Sequence, residues 1–582
     1  MNQQSEDNLE FRICTFLELL YPQCDCNALT TKLLALMELE GNSSILPGIN
    51  ENWNEHDAWL ITYGDSLIGI DEKPLKTLEH FLKSELEGVI NGVHILPFFP
   101  YSSDDGFSVI DYTQVNDALG DWQNIESIAS DFKVMSDLVI NHCSSESEWF
   151  KNYKARKDPG RDYFFEASPD EDLSQVVRPR TSPLLQEVET RDGKRHVWCT
   201  FSHDQIDLNF ANPQLLCEIV GIIKLYLDHG IRIFRLDAVA FLWKEPGTSC
   251  IHLSQTHTII RLLRTLIEHY SDEAILITET NVPNHENLSY FGNSNEAHAV
   301  YNFSLPPLLL HALISGTSKH LRTWQMSMPP ALMGTFYFNF IASHDGIGLR
   351  PAEGLLDEQE IDELVSTLRK FNARISYRTA DGGKKKPYEI NATLYDSLQG
   401  TLNGTDQWQL QRFMCTQAIM FAMEGIPAIY IHSLLGTNNY LEGVEATKQN
   451  RTINRYKWRF DELNRKLTDT SSHHHQVFTK IKELLRIRTR QPAFHPNAVQ
   501  FTLQLGDDVF GFWRQSRYRE QSIFCLHNVT DHEVVIPLSS INLISFDTWI
   551  DLVGGQKFDD FRQDLKLQPY QYVWLSNKEY KN

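Results

Sequence analysis

Eight short apolar runs recur between residues 57 and 435, and they constrain the fold more than any other feature. They are "DAWLITY" (57–63), "GVHILPFF" (92–99), "FKVMSDLVINH" (132–142), "IRIFRLDAVAF" (231–241), "AILITETN" (274–281), "AHAVYNFSL" (297–305), "TFYFNFIASHDG" (335–346) and "PAIYIHSLL" (427–435). Runs this short, apolar and rich in β-branched or aromatic residues read as strands buried on both faces. Amphipathic stretches separate several of them, as "LLCEIVGIIKLYLDHG" does before the fourth. Strand–helix alternation repeated eight times predicts an α/β fold of the (β/α)8 TIM-barrel class.

Two connections are too long for such a barrel. Residues 143–206, largely polar, predict a subdomain inserted after strand three. Residues 346–426 predict a loop region after strand seven that shapes the site. The barrel itself is expected over 51–142, 207–345 and 427–490. Residues 1–50 read as a helical extension, from apolar spacing in "LTTKLLALMELE". From 491 to 582 the pattern shifts to short alternating strands, predicting an appended antiparallel β domain. The run "HHH" at 473–475 reads as a solvated loop, because no partner ligands stand at metal spacing.

A net charge of −23 argues against tracking a nucleic-acid backbone. No run approaches the roughly 18 apolar residues of a membrane span. "MNQQSEDNLEF" lacks the basic-then-apolar pattern of a secretory leader. Nine scattered cysteines read as reduced thiols, and together these features predict a cytoplasmic protein, a monomer or homodimer without metal.

The charges near strand ends carry the chemistry. Barrel enzymes build their sites at the C-terminal rim. Asp137 and His142 stand at the end of strand three, Asp237 at strand four, Glu279 at strand five and Asp345 at strand seven. Converging carboxylates raise one another's pKa values unless a cation intervenes. Arg235 lies two residues before Asp237, so both share a strand face. One carboxylate that attacks an anomeric carbon and a second that protonates the leaving oxygen are the requirements for retaining glycoside cleavage. The anionic neighbours favour Glu279 as the protonated partner.

The segments "DLVINH", "FRLDAVAF", "ITETN" and "ASHDG" resemble, in order, the four motifs of the α-amylase superfamily, glycoside hydrolase family 13. The resemblance implies Asp237 as nucleophile, Glu279 as acid/base and Asp345 as transition-state stabiliser. It implies Arg235, His142 and His344 around the glucose. "LDAVAFLWKEPGTSC", "FSLPPLLLHAL", "SHDGIG" and "RTINR" resemble the sucrose phosphorylase subgroup more closely. In that subgroup Asp104, Phe107, Phe201, Gln205 and Arg455 match positions lining the glucose site. Phosphate, rather than water, takes the glucosyl group and gives α-glucose 1-phosphate. Inorganic phosphate is then the co-substrate and no cofactor is implied. Arg180, in "VRPRTSP", matches the phosphate-binding arginine and Tyr388 a phosphate-side tyrosine. Arg178 reads equally well as a structural salt bridge.

The chain departs from the sucrose enzymes where they hold fructose. Lys386 stands at their loop Asp, Glu389 replaces a Gln, and Phe241 stands in place of Tyr. "RPRTSPLL" and "KEPGTSCIHLSQTH" resemble the branch acting on glucosylglycerate, glucosylglycerol or sucrose 6-phosphate. The acceptor expected is glycerol or glycerate, with Lys386 reading an anion or Glu389 a hydroxyl. The rival readings are a family 13 hydrolase or transglucosidase, indifferent to phosphate, and a non-catalytic amylase-fold binding protein.

Overall fold

The computed structural model describes residues 8–41, 51–180, 182–379, 385–541, 548–560 and 562–580. The eight runs form β1 (Trp59–Thr62), β2 (Gly92–Ile95), β3 (Lys133–Leu138), β4 (Ile233–Leu236), β5 (Ile275–Thr278), β6 (Ala299–Tyr301), β7 (Phe336–Asn339) and β8 (Ile426–Tyr430). They pair in parallel, in chain order, and β8 returns to β1, so the barrel has no open edge. Every residue in them is buried except Lys133, whose ammonium reaches Asp57 at 2.9 Å. That two-sided burial is why the runs lack alternation.

The helix before β4 illustrates how the alternation is built. The Asn212 side chain caps Pro213–Asp228 by accepting from Gln214 N–H, and Pro213 occupies the first turn, where its missing N–H costs nothing. Leu215, Leu216, Ile219, Val220, Ile223 and Leu227 bury one broad face against the barrel. Gly230, at φ +84°, then turns the chain into β4.

Within the extension, the described residues form helices Leu9–Leu20 and Cys26–Leu36. Leu9, Ile13, Leu17 and Leu20 recur at helix spacing on the buried face. Tyr21 Oη donates to Phe210 O at 2.8 Å, so the extension is tied to the barrel. The insert after β3 carries the hairpin Leu185–Thr190 and Gly193–Trp198. Its neck is closed by His142–Ser144 pairing antiparallel with Gln205–Asp207.

Two expectations are corrected. The span 346–426 is not all site-shaping loop. Its sheet of Ile347–Gly348, Lys385–Asn391 and Arg374–Thr379 does reach the site, but Gln409–Ala422 is a helix buried from Arg412 onward, running directly into β8. The "HHH" run opens the helix His473–Arg488, and its middle residue is buried, bonded through Nδ1 to Leu435 O at 2.7 Å. Polar composition suggested solvent there, but the ring edges satisfy carbonyls instead. Past residue 491 a six-stranded antiparallel sheet forms the expected C-terminal β region.

Candidate active site

Strand register assembles the centre. Asp137 of β3 sits opposite Arg235 of β4, and β4 pairs with β5 so that Glu279 N–H donates to Leu236 O at 3.1 Å. Asp237 and Glu279 therefore leave the rim from adjacent strands. Arg235 is buried among them: Nη1 donates to Asp137 and to Asp237 Oδ1 (2.8 Å), and Nη2 stands 3.8 Å from Glu279. Behind it, His94 meets Asp137 at 2.7 Å. A buried guanidinium and buried carboxylates offset one another's desolvation, so this core strand can carry charge.

The residue after Asp237 is strained. Ala238 holds φ +49°, costly for a residue with a Cβ, and its N–H donates to Glu279 Oε2 at 3.0 Å. This bond ties the two carboxylates to one short segment. Burial pushes both carboxyls up and Arg235 pulls each back, so the two titrate as a coupled pair. The direct guanidinium bond belongs to Asp237, so a proton shared by the pair rests on Glu279.

Asp345 is the contrasting case. Burial would raise it, but Arg451, then His344 and Arg455, hold it well below the usual range. Arg451 Nη1 lies 2.5 Å from its Oδ1. His344 stacks on Phe107, with ring centroids 4.9 Å apart and planes 4° from parallel, and burial lowers its pKa to about 3. His142 Nε2 donates to Phe107 O at 2.9 Å and contacts Gln205, whose amide reaches Asp104 Oδ2 at 3.3 Å. Asp104, half-buried, is held low chiefly by Arg451 and Arg455 against the desolvation that would raise it.

A cavity opens above these groups. Asp104, Phe107, His142, Arg180, Phe201, Gln205, Asp237, Glu279, His344, Asp345 and Tyr388 all line it. Arg235 lies beneath its floor, and Arg455 and Glu389 line the adjoining outer basin. Arg180 stands 5.9 Å from the Phe201 and Tyr388 ring centres. Phe241, expected only as a departure, meets Phe201 edge-on at 5.7 Å.

Three expectations change. Lys386 lines neither space: its half-exposed ammonium pairs with Glu358 at 2.7 Å, because the strand turns that side chain outward. Glu389 is not free for a hydroxyl, since Arg451 holds it through Nε (3.1 Å) and Nη2 (2.7 Å). Arg178 forms no salt bridge among the described residues and donates to Ser182 O. Sequence reading passed over Arg451, although it opens the quoted "RTINR", and over Asn281 and Arg350, which also line the cavity. Arg350 follows Asp345 by five residues in "HDGIGLRP", the only signal available for it.

The profile of the alpha-amylase catalytic domain matches residues 81–345. The chain is 41% identical to a glucosylglycerate phosphorylase of Spirochaeta thermophila, across 92% of this chain and 94% of that one. It is 29% identical to a glucosylglycerol phosphorylase of Marinobacter adhaerens, across 79% and 92% respectively. The solved sucrose 6F-phosphate phosphorylase from Thermoanaerobacter thermosaccharolyticum superposes at TM-score 0.72, 24% identical, covering 88% of this chain and 98% of that one.

Proposed function

This chain belongs to the α-amylase family, among its α-glucoside phosphorylases, and from that premise we propose that its substrate is glucosylglycerate, cleaved by phosphate into α-glucose 1-phosphate and glycerate. The observation that carries the reading is the cavity's charge. Its four carboxylates, Asp104, Asp237, Glu279 and Asp345, are interleaved with guanidinium groups of Arg180, Arg350 and Arg451. Arg451 is engaged by Asp345 and Glu389, but a cleft meant only for neutral sugars and water has no need of the other two guanidiniums. One that admits phosphate and then releases glycerate does. The 41% likeness to an enzyme named for glucosylglycerate favours glycerate over glycerol.

In the proposed cycle the Asp237 carboxylate attacks the anomeric carbon while Glu279 gives its proton to the departing glycerate oxygen. A glucosyl ester on Asp237 remains. Phosphate then attacks the same carbon, Glu279 takes back a proton, and Asp237 leaves as carboxylate. Asp345, kept anionic by Arg451, faces the positive charge that develops on the sugar ring. Phe107 and Phe201 offer apolar faces to the glucose; Asp104, His142, Gln205, His344 and Arg455 supply its polar surroundings. Arg180 and Tyr388 receive the phosphate. The cycle calls for inorganic phosphate and no other cofactor.

The test runs the reaction backwards. The protein is given glucose 1-phosphate with glycerate, glycerol, fructose or fructose 6-phosphate, and phosphate release is followed. Glycerate should be the fastest acceptor. Fructose outpacing it, or glucose released at the same rate with no acceptor present, would reject the reading.

A further inference from the structure

Most guanidinium groups of the site are already committed. Arg235 holds Asp137 and Asp237, Arg451 bridges Asp345 and Glu389, and Arg455 takes Asp105 at 2.5 Å. Two cations lining the cavity are not. Among the described residues, the guanidinium groups of Arg180 and Arg350 have neither a hydrogen-bond partner nor a carboxylate within ion-pair reach, although Arg180 rests against two aromatic rings. The proposed reaction handles two anions, one in each half-cycle. Phosphate accounts for Arg180. The second cation has no assignment.

Its backbone is fixed while its head is free. Leu349 N–H donates to Tyr388 O at 2.9 Å, and Leu349, Pro351 and Ala352 are buried around it. Gly348 packs so closely on Asn281 that an added Cβ would meet the amide at 2.9 Å. That contact sets the Arg350 segment beside the loop following β5, where Thr280, Asn281 and Val282 continue from Glu279 along the cavity wall. Glu279 protonates the aglycone oxygen in the proposed cycle, so the aglycone must lie against this loop. A guanidinium carried there by a fixed backbone suits a planar carboxylate, which it can grip through two parallel N–H bonds.

We propose that Arg350 reads the carboxylate of the glycerate moiety and sets the enzyme's preference for an anionic aglycone over a neutral one. This rests on the glycerate reading given above, and it transfers to Arg350 the role expected of Lys386. A charge-assisted hydrogen bond confers roughly ten- to a hundredfold in binding.

The experiment offers glycerate and glycerol together to the glucosyl-enzyme formed from glucose 1-phosphate, and measures the ratio of the two products. Both acceptors partition one intermediate, so any change in its formation cancels. Arg350→Gln should shift the ratio ten- to a hundredfold toward glycerol. R350M, which keeps the aliphatic stem, repeats the measurement should R350Q not accumulate as folded protein. A ratio equal to wild type in a turning-over variant overturns the proposal, as does a variant whose only defect is a raised KM for phosphate. Wild type failing to use glycerate at all would defeat the substrate reading itself, and the proposal with it.

Discussion

Arg235 is the residue on which the site's electrostatics turn. It is buried, as are Asp137 and Asp237, and each would be costly alone. Its bond to Asp237, and its greater distance from Glu279, set two similar carboxylates apart in the way the proposed cycle requires of nucleophile and acid. Burial raises the Glu279 pKa, with Arg235 opposing and Asp345 adding to the rise. In the proposed cycle the protonated form is the acid, so kcat/KM for the glycoside should hold below that raised pKa and fall as pH rises through it. Glu279→Gln should remove this alkaline limb and cut turnover of the natural substrate by about 10²–10⁴-fold. α-Glucosyl fluoride, whose leaving group needs little protonation, should lose far less. Equal losses with both donors would show that Glu279 is not the acid.

At the scale of elements, loops aim side chains that strands only carry. The strand Lys385–Asn391 pairs with Arg374–Thr379 and with Ile347–Gly348, and this sheet turns Lys386 to Glu358 on the outside while burying Glu389 on Arg451. Entry into β8 depends on one glycine. Gly425 takes φ +113°, and a Cβ there would lie 2.2 Å from Tyr337 O of β7. The position admits neither the dihedral nor the volume of alanine. Gly425→Ala should destabilise by about 1–3 kcal/mol, read as a lower urea midpoint at unchanged slope. An unchanged midpoint would mean that the β7–β8 seam relaxes freely.

For the whole molecule, stability should depend on pH through buried imidazoles. Burial lowers His344 and His432 to about 3, and His474 and His527 to about 4, from an ordinary value of 6.5. They stay neutral in the fold while the unfolded chain protonates near 6.5. Their contribution is intact above that pH and drains away as pH falls toward 3–4. Asp137 and Glu268, lowered to about 2, add losses at still lower pH. Asp237 and Glu279, raised in the fold, act oppositely and favour it as pH falls. Glu424 and Asp551 are raised as well, but the lowered imidazoles, His94, His142, His298 and His495 among them, outnumber the raised carboxyls, so the urea midpoint should drop between pH 7.5 and pH 5. A midpoint that stays level or rises over that interval would contradict this balance.

The eight apolar runs determined the barrel by themselves, because strands buried on both faces have few alternatives to a closed parallel sheet. The same runs determined that Asp237, Glu279 and Asp345 would meet, since strand ends in a barrel share one rim. Sequence likewise marked Asp104, Phe107, His142, Phe201, Gln205 and His344, which line one cavity and lie in short stretches of chain. It misjudged Lys386, Glu389 and the three histidines at 473–475, and for one reason. Each is a polar side chain whose direction depends on partners distant in the chain: Glu358, Arg451 and the Leu435 carbonyl. Arg451 and Arg350 escaped notice on the same ground. A charge becomes a ligand or a strut only through what lies across the cavity, and pairing across a cavity is a property of tertiary structure alone.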